Sequence, residues 1–370
     1  KFIAPPALNA VSVQASNISK HHEMFDQKAG KLVIAYADPG STPNANELKI
    51  RVYDAAPGAT KYRDYESITL DVEYANATAF EIVKVKVVPI NSERFAVVYI
   101  LNDAIYKIHA KIYSYQTGLI YATTSPISFE GVTDLGVHTD AFMDAVCFDE
   151  SFIVVAWKKN STESGFRIFY LEDYSMSSEI TFSNDSIYEN MQVIPFSYDS
   201  FLIAYSYSGS LRMKQFRYTT DLVLFGASDY LEVSNNLIAN GFFFKAAELQ
   251  NNNVAFVYSE SAGANIEVYV RILDEYSRAL GAPIKISIAP VPSGSRHKDF
   301  SCFTLDNNCF AISYRDDSLK PVLRVFQNDG QETFHRYSDQ SVLKSSMQTI
   351  RLSDRTMLSA YAQSLTSFKF

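Results

Sequence analysis

The residues of this sequence with the clearest chemical signature are four acceptor motifs for N-linked glycans. Each motif is an Asn followed two residues later by Ser or Thr, and the four begin at Asn17, Asn76, Asn160 and Asn184. Such a motif is used only in a protein that enters a secretory route, and only where the chain is at the surface. We therefore expect a secreted or cell-surface glycoprotein, with glycans on these four side chains.

Acidic and histidine side chains form no recognisable catalytic or metal-binding pattern. Glu81, Asp140, Asp144 and Asp299 lie on or beside predicted inner strands, but nothing singles out a pair for acid–base chemistry. The adjacent residues His21-His22 would point to opposite faces of a strand, which is poor geometry for zinc. The sequence thus predicts no catalytic residue, no metal site, no cofactor and a protein that is not an enzyme.

Three cysteines, Cys147, Cys302 and Cys309, are too few for a disulfide framework. Cys302 and Cys309 are close enough in sequence to lie on adjacent strands of one hairpin, so a disulfide between them is one candidate. The alternative is that all three are buried free thiols. None of them has a His and Asn arrangement nearby, which argues against a catalytic thiol.

A short apolar segment occurs seven times in the sequence, and the elements that it forms must position the residues described above. Its copies are Leu32–Tyr36, Phe95–Tyr99, Ile153–Trp157, Phe201–Tyr205, Val254–Tyr258, Phe310–Tyr314 and Met357–Tyr361. In a strand, the first, third and fifth residues share one face, and here they are mostly large. The second and fourth residues are small or of medium size, so the pattern indicates strands buried on both faces.

The spacing of these segments favours one architecture. Their last residues are 47 to 63 positions apart, and several strands fit in each interval, which is typical of a β-propeller. We predict an all-β, seven-bladed propeller of four-stranded antiparallel blades, in which residues 1–370 form a single domain. The last unit lacks a fourth strand, so we expect Ala7–Val13 to pair with Leu365–Phe370 and close the ring.

This architecture would place the four glycan motifs on one face. Three fall between a fourth strand and the next inner strand, and Asn160 falls between a second and a third strand; both loop types emerge on the same side of a blade. The opposite, bare face would carry Asp26–Gly30, Asn91–Arg94 and Asn251–Asn253, and it is the candidate contact surface.

Basic residues recur at alternate positions of the predicted third strands. They are Lys49, Arg51, Lys107, Lys111, Arg212, Lys214, Arg271 and Arg324. This pattern favours an outer strand whose cations face carboxylates of a neighbouring strand. The alternative interpretation is a basic stripe that binds a partner. The formal net charge of −8 and the pI of about 5.3 argue against nucleic-acid and anionic-membrane binding. No apolar run approaches the roughly 20 residues of a membrane-spanning helix.

The clearest unit, Val254–Ser287, contains Val254-Ala-Phe-Val-Tyr258, then Tyr269-Val-Arg271-Ile-Leu-Asp274, then Gly281. It resembles the Val-Val-Trp…Tyr-x-Arg-x-Phe-Asp repeat of large secreted and cell-surface proteins. The resemblance implies an extracellular β-module, often one of an adhesin or a surface layer, and carries over no catalytic residue.

These observations predict a non-enzymatic structural or adhesive module of the cell surface or matrix. Its partners would be other proteins of a surface assembly or filament, including copies of itself, and glycans, with no nucleic acid and no membrane insertion. One alternative is a lectin-like propeller whose exposed aromatics, such as Tyr106 or Tyr207, stack on sugars. Another is a propeller glycosidase or lyase, with carboxylates that converge at the channel mouth.

Overall fold

Strands are the only regular elements in the part of the chain that the structure, a computed structural model, describes. It describes residues 12–14, 22–27, 31–39, 46–54, 63–69, 81–102, 106–116, 119–122, 127–132, 143–183, 187–197, 199–218, 225–226, 230–235, 244–249, 251–262, 265–276, 278–286, 291–292, 301–305, 309–315, 321–337, 347–352, 356–364 and 367–369. These strands form seven separate antiparallel sheets of four or five strands, which we number I to VII. The all-β prediction is therefore confirmed, and the sheets are of the kind that form propeller blades.

One compact unit comprises Lys1–Glu130 and Leu343–Phe370. Sheet I consists of His22–Gln27, Lys31–Pro39, Asn46–Asp54 and Arg63–Thr69. Sheet II consists of Glu81–Pro89, Arg94–Asn102, Tyr106–Gln116 and Ile127–Val132, with Leu119–Ala122 also paired to its third strand. Sheet VII consists of Met347–Leu352, Thr356–Ser364, Ser367–Lys369 and Ser12–Gln14. Within this unit the first strands of sheets VII, I and II lie beside one another.

The other compact unit comprises Gly131–Val342. Sheet III consists of Met143–Phe148, Phe152–Lys158, Ser164–Tyr170 and Ile180–Ser183. Sheet IV consists of Ile187–Pro195, Ser200–Tyr207, Ser210–Arg217, Phe225–Gly226 and Leu231–Ser234. Sheet V consists of Phe244–Glu248, Val254–Ala262, Asn265–Leu273, Ile284–Lys285 and Val291–Pro292. Sheet VI consists of Ser301–Thr304, Cys309–Arg315, Pro321–Gln327 and Glu332–Tyr337, and the first strands of sheets III to VI lie side by side in chain order.

The N-terminal strand does pair with the C-terminal one. Val13 lies opposite Phe368 in an antiparallel ladder. The structure describes this pairing over Ser12–Gln14 and Ser367–Lys369, and the rest of the predicted segments Ala7–Val13 and Leu365–Phe370 lies outside the described residues. The closed ring and the single domain remain predictions, because the pairing lies within one sheet of one unit.

The fourth strand of sheet VI begins earlier than the sequence pattern suggested. We expected it around Arg336–Val342, and it spans Glu332–Tyr337. A tight turn explains the difference: the Gly330 N–H donates to the Gln327 carbonyl at 2.8 Å, and Gly330 has a φ of 90°, which favours glycine. The strand can therefore start directly after the turn.

The seven repeated segments are the second strands, and they pack by one rule. In sheet IV, Phe201, Ile203 and Tyr205 join the core shared with sheet III, whereas Leu202 and Ala204 join the core shared with sheet V. The same division holds between sheets I and II and between sheets V and VI. In these four pairs of sheets, the large face of one segment packs against the small face of the preceding one, which is how side chains reach close packing.

The first strands carry a second repeated feature. The residue opposite the fourth position of each segment is polar in all seven sheets, namely Glu23, Lys86, Asp144, Gln192, Lys245, Ser301 and Gln348. Two of these residues bond to the next first strand. Asp144 Oδ2 accepts from the Val193 N–H at 2.8 Å, and the Gln192 amide bonds both the N–H and the carbonyl of Ala246. Side-chain amides and carboxylates here replace the ladder that edge strands otherwise lack.

Candidate ligand site between adjacent sheets

The cleft between sheets III and IV holds an exposed aromatic and cationic cluster, which we call the Tyr–Arg–Tyr cluster. Tyr207 ends the second strand of sheet IV, and Ser208 and Gly209, with φ of 43° and 85°, form a two-residue turn. Positive φ at both positions matches the twist of a tight hairpin. The turn brings Ser210 opposite Tyr207, so Arg212 lies on the same face of the sheet as Tyr207.

The Arg212 guanidinium lies between two tyrosine rings. Its Cζ atom is 4.2 Å from the ring centroid of Tyr207 and 3.8 Å from that of Tyr230. Each cation–π contact stabilises by about 0.5–1 kcal/mol at an exposed site. Tyr230 is 42% exposed although it packs on Arg212, so much of its ring surface faces solvent.

A carboxylate completes the surroundings of this cluster. Glu232 lies directly opposite Arg212 in the ladder between the third strand and Leu231–Ser234. Among the residues that the structure describes, no cation forms an ion pair with Glu232, and none donates a hydrogen bond to its side chain. Opposite charges on facing strands usually attract, but here the guanidinium lies between the two tyrosine rings and not against the carboxylate.

Basic side chains of the third strands form hydrogen bonds that connect neighbouring sheets. Lys214 Nζ donates to the Phe182 carbonyl of sheet III at 2.8 Å, and Arg271 Nη1 donates to the Val233 carbonyl of sheet IV at 2.6 Å. Both cations therefore bond backbone carbonyls of the preceding sheet, not the carboxylates that we expected. The carboxylate interpretation holds for Arg324, which pairs with Glu332 through Nε and Nη2.

The register explains why these cations recur. A basic residue faces the third position of the repeated segment in sheets I to VI, namely Arg51, Lys111, Arg167, Lys214, Arg271 and Arg324. Sequence reasoning missed Arg167, whose neighbours in the chain are apolar. It also missed Tyr230 and Glu232, which lie on a short strand far from Arg212 in the sequence.

The cleft between sheets IV and V has a different composition at the same ladder positions. Glu260 Oε1 accepts from Ser234 Oγ at 2.6 Å, and Glu267 Oε2 accepts from the Tyr269 hydroxyl at 2.5 Å. Lys285 also pairs with Glu267. The hydrogen bonds from Lys285 and Tyr269 lower the pKa of Glu267, and the bond to Glu267, with burial, raises the pKa of Tyr269 to about 12.

Of the four predicted glycan acceptors, Asn160 is the one that the structure describes. It lies in the turn between the second and third strands of sheet III, as predicted, and it is half-buried. Its Oδ1 accepts from the Thr162 N–H at 2.8 Å, and its Nδ2 donates to Glu163 at 3.0 Å. Asn17, Asn76 and Asn184 lie outside the described residues, and use of any of the four motifs remains a prediction.

Cys302 and Cys309 are free thiols in this structure, and so is Cys147. Cys302 faces Ile312 in the ladder, so Cys309 lies three residues away from the facing position. Three strand residues span roughly 10 Å, which is too far for a disulfide. The Cys302 residue is partly exposed, but its thiol packs against the core between sheets V and VI, and this burial raises the pKa of the thiol to about 12.

Of the four acidic side chains predicted on or beside the inner strands, Asp144 is the one that the structure describes. Asp144 is buried with its carboxylate on the Val193 N–H, whereas Asp140, Asp299 and the Glu81 side chain lie outside the described part. Within the described ranges, no group of three His, Cys, Asp or Glu side chains could hold a metal ion. The same ranges contain no helix that is long and apolar enough to cross a bilayer.

The turns at the other end of the sheets include the predicted contact surface. Asn91 Oδ1 accepts from the N–H groups of Glu93 and Arg94, so this turn is held by its own side chain. Two segments have nearly the same acidic sequence, namely Leu171–Ser175 and Leu273–Ser277. The tyrosine of each is exposed to solvent. Tyr174 is 39% exposed and Tyr276 is 88% exposed.

Comparison with known proteins establishes the fold and nothing finer. No family model and no curated protein sequence matches the chain. A prolyl endopeptidase structure matches 94% of this chain with a TM-score of 0.53 and 13% identity, and this chain spans 46% of that protein. The SapL1 lectin, solved with α-methyl fucoside, matches 90% of this chain and 99% of its own at a TM-score of 0.50 and 8% identity. The NanB sialidase of Streptococcus pneumoniae matches 98% of this chain and 70% of its own at 0.49 and 10%.

These neighbours are β-propeller proteins, so the chain has propeller-like sheets. They also correct one expectation: the sequence predicted that the protein is not an enzyme, and the fold is shared with enzymes such as the endopeptidase. Lack of a catalytic motif therefore does not exclude enzymatic activity, because one fold can host many different functions. Identities this low show a common fold, and the resemblance to one repeat type remains a prediction.

Proposed function

We propose that this chain is a carbohydrate-binding propeller module that acts outside the cell. The observation that carries the proposal is the Tyr–Arg–Tyr cluster, in which the Tyr230 ring, 42% exposed, lies beside the Arg212 cation. Aromatic rings stack on the apolar faces of sugars, and Arg N–H groups donate to hydroxyl oxygens. The fold shared with a lectin supports the same ligand class.

The proposal assigns the sugar contact to an aromatic side chain that differs from the two expected from the sequence. Sequence reasoning named Tyr207 and Tyr106 as candidates for sugar stacking. Tyr207 is partly buried under Arg212, and the Tyr106 side chain lies outside the described part. Tyr230 therefore takes the stacking role in this proposal, and Tyr207 supports Arg212 from behind.

Two tyrosine variants test the proposal. The unchanged protein, screened on a glycan array, should retain at least one glycan, and Tyr230→Ala should weaken that binding about tenfold, equivalent to about 1.4 kcal/mol. Tyr276→Ala is the matched control, because it removes an even more exposed tyrosine from another sheet. An array with no bound glycan, or equal losses in both variants, contradicts the proposal.

A second candidate, a protein-interaction module of a surface or matrix assembly, is favoured by a separate observation. Tyr174 and Tyr276 project from equivalent turns, each beside two carboxylates, and exposed tyrosines often anchor protein interfaces. Its partners would be basic segments of other proteins or of a second copy. Loss of self-association or of a co-purifying protein in Tyr276→Ala would favour it over the first candidate. The closed seven-bladed ring, the glycans on the four Asn residues and the extracellular location belong to both proposals.

A further inference from the structure

We infer that Tyr276 is a modification site, at which a sulfotransferase of the secretory route adds an O-sulfate group. The phenol oxygen forms a bond to the sulfur of a nucleotide phosphosulfate, and the bond from that sulfur to the phosphate oxygen of the donor breaks. The electron pair of the broken bond leaves with the nucleotide, and the phenol proton goes to a base of the transferase. This inference rests on the extracellular location that both proposals above share.

Tyr276 presents its side chain to solvent more fully than any other large apolar or aromatic residue that the structure describes. It is 88% exposed, whereas Tyr230 is 42% exposed. It lies in the turn that follows the third strand of sheet V, Asn265–Leu273. A transferase has to hold the acceptor oxygen close to the donor and in line with the bond that breaks. A side chain that extends away from its own protein can enter such an active site, and Tyr276 does so.

Hydrogen bonds of the backbone hold this turn in place. The Asp274 N–H donates to the Ala279 carbonyl at 3.0 Å, which closes the turn. The Glu275 N–H donates to Asn253 Oδ1 at 3.0 Å, which connects the turn to the one between the first two strands of sheet V. These bonds use backbone groups of the turn, so a sulfate on the Tyr276 ring would disturb none of them.

Two acidic residues, Asp274 and Glu275, directly precede Tyr276 in the chain. The sulfate donor is a polyanion, so a transferase that binds it has a positive field at its active site. Carboxylates beside the acceptor are attracted by that field and bring the phenol towards the donor. The product has a further negative charge beside the two carboxylates, which suits the basic partner of the second candidate function.

Tyr174 has nearly the same neighbours in the sequence, but it is much less accessible. It follows Glu172 and Asp173, so the chain offers two acidic tyrosine segments. Its ring stacks on that of Phe169, with the ring centroids 6.4 Å apart, and the residue is 39% exposed. This ring has to leave Phe169 before its phenol can enter an active site. A transferase that read the sequence alone would modify both tyrosines, whereas the folded chain presents Tyr276.

The test is peptide mapping by mass spectrometry of the full chain, exported from cultured animal cells behind a cleavable leader. The peptide with Tyr276 should gain the mass of one sulfuryl group, in a form that phosphatase does not remove. The peptide with Tyr174 should be sulfated at least about threefold less, because its ring has to give up an aromatic contact. Glu275→Gln keeps the backbone bond to Asn253 and removes one charge, so it should lower the sulfated fraction at Tyr276 about threefold. Glu172→Gln is the matched control and should leave that fraction unchanged.

Equal sulfation of Tyr174 and Tyr276 in the full chain overturns the inference, and so does a phosphate at Tyr276. An unmodified Tyr276 in a chain that carries glycans on its Asn motifs also overturns the inference, but it leaves the extracellular location standing. Protein purified from its natural source that carries neither glycan nor sulfate overturns both. The glycan array tests carbohydrate binding independently of all these outcomes.

Discussion

The two clefts beside sheet IV occupy equivalent positions, yet they differ in what their polar groups do. Tyr207 and Glu260 each lie two residues after a repeated segment, and Arg212 and Tyr269 each face its last residue. Between sheets IV and V, carboxylates accept from Ser234, Tyr269 and Lys285, so the cleft closes with internal hydrogen bonds. Between sheets III and IV, the Arg212 guanidinium lies between two tyrosine rings. The facing carboxylate of Glu232 accepts no hydrogen bond from any residue that the structure describes.

The difference shows that equivalent positions of one scaffold hold their polar groups by different contacts. A polar group that is satisfied internally contributes about 0.5–1.5 kcal/mol per hydrogen bond. The Arg212 guanidinium is instead packed between two tyrosine rings. Two kinds of variant would contradict this comparison. One is a variant in the cleft between sheets III and IV that lowers stability by loss of a hydrogen bond, and the other is a variant in the cleft between sheets IV and V that changes glycan binding.

The largest expected effect on stability comes from the cations that donate hydrogen bonds to backbone carbonyls of the preceding sheet. Arg271→Met removes two bonds, to the Val233 carbonyl at 2.6 Å and to the Gly281 carbonyl at 2.9 Å, and should lower the free energy of unfolding by about 2 kcal/mol. Lys214→Met removes one bond and should cost about 1 kcal/mol. Urea denaturation of both variants measures the difference. Equal costs would mean that the carbonyl bonds do not determine these contributions.

A matched pair of Tyr→Phe changes gives the next effect. Tyr269→Phe removes the hydrogen bond to Glu267 and should lower the free energy of unfolding by about 1 kcal/mol. Tyr207→Phe keeps the ring on Arg212, so neither stability nor glycan binding should change. Thermal unfolding and calorimetry check both variants. A destabilised Tyr207→Phe would show that the first cleft also depends on internal hydrogen bonds.

The smallest effect is a dependence of stability on pH that arises in the cleft between sheets IV and V. The pKa of Glu267 is lowered from its ordinary value of 4.5, so its contribution to stability is complete above that value and is lost as the pH falls through the folded-state pKa. The pKa of Tyr269 is raised from 10.0 to about 12, so its contribution is lost as the pH rises between those values. Lys285→Ala should reduce the acid-side loss. An unchanged profile in that variant would contradict the assignment to Glu267.

Prediction from the sequence succeeded where the signal is local and periodic. The alternation of large and small residues in Phe201–Tyr205 correctly placed a strand buried on both faces, because side-chain size along a strand decides which face packs against which. It misplaced the short terminal strand of sheet VI, because a tight turn shifts positions by only a few residues, and between the two alternatives for Cys302 and Cys309 it could not decide without the ladder register.

The sequence by itself determined most of the strands and the seven-fold repetition of one of them, since both follow from a period of two and from turn residues. Only the tertiary structure decided what each polar position does. Whether a cation reaches a backbone carbonyl, as Arg271 does, or lies between two rings, as Arg212 does, depends on the groups that the neighbouring strands and sheet present. Those groups come from residues distant in the chain, and side-chain spacing carries no information about them.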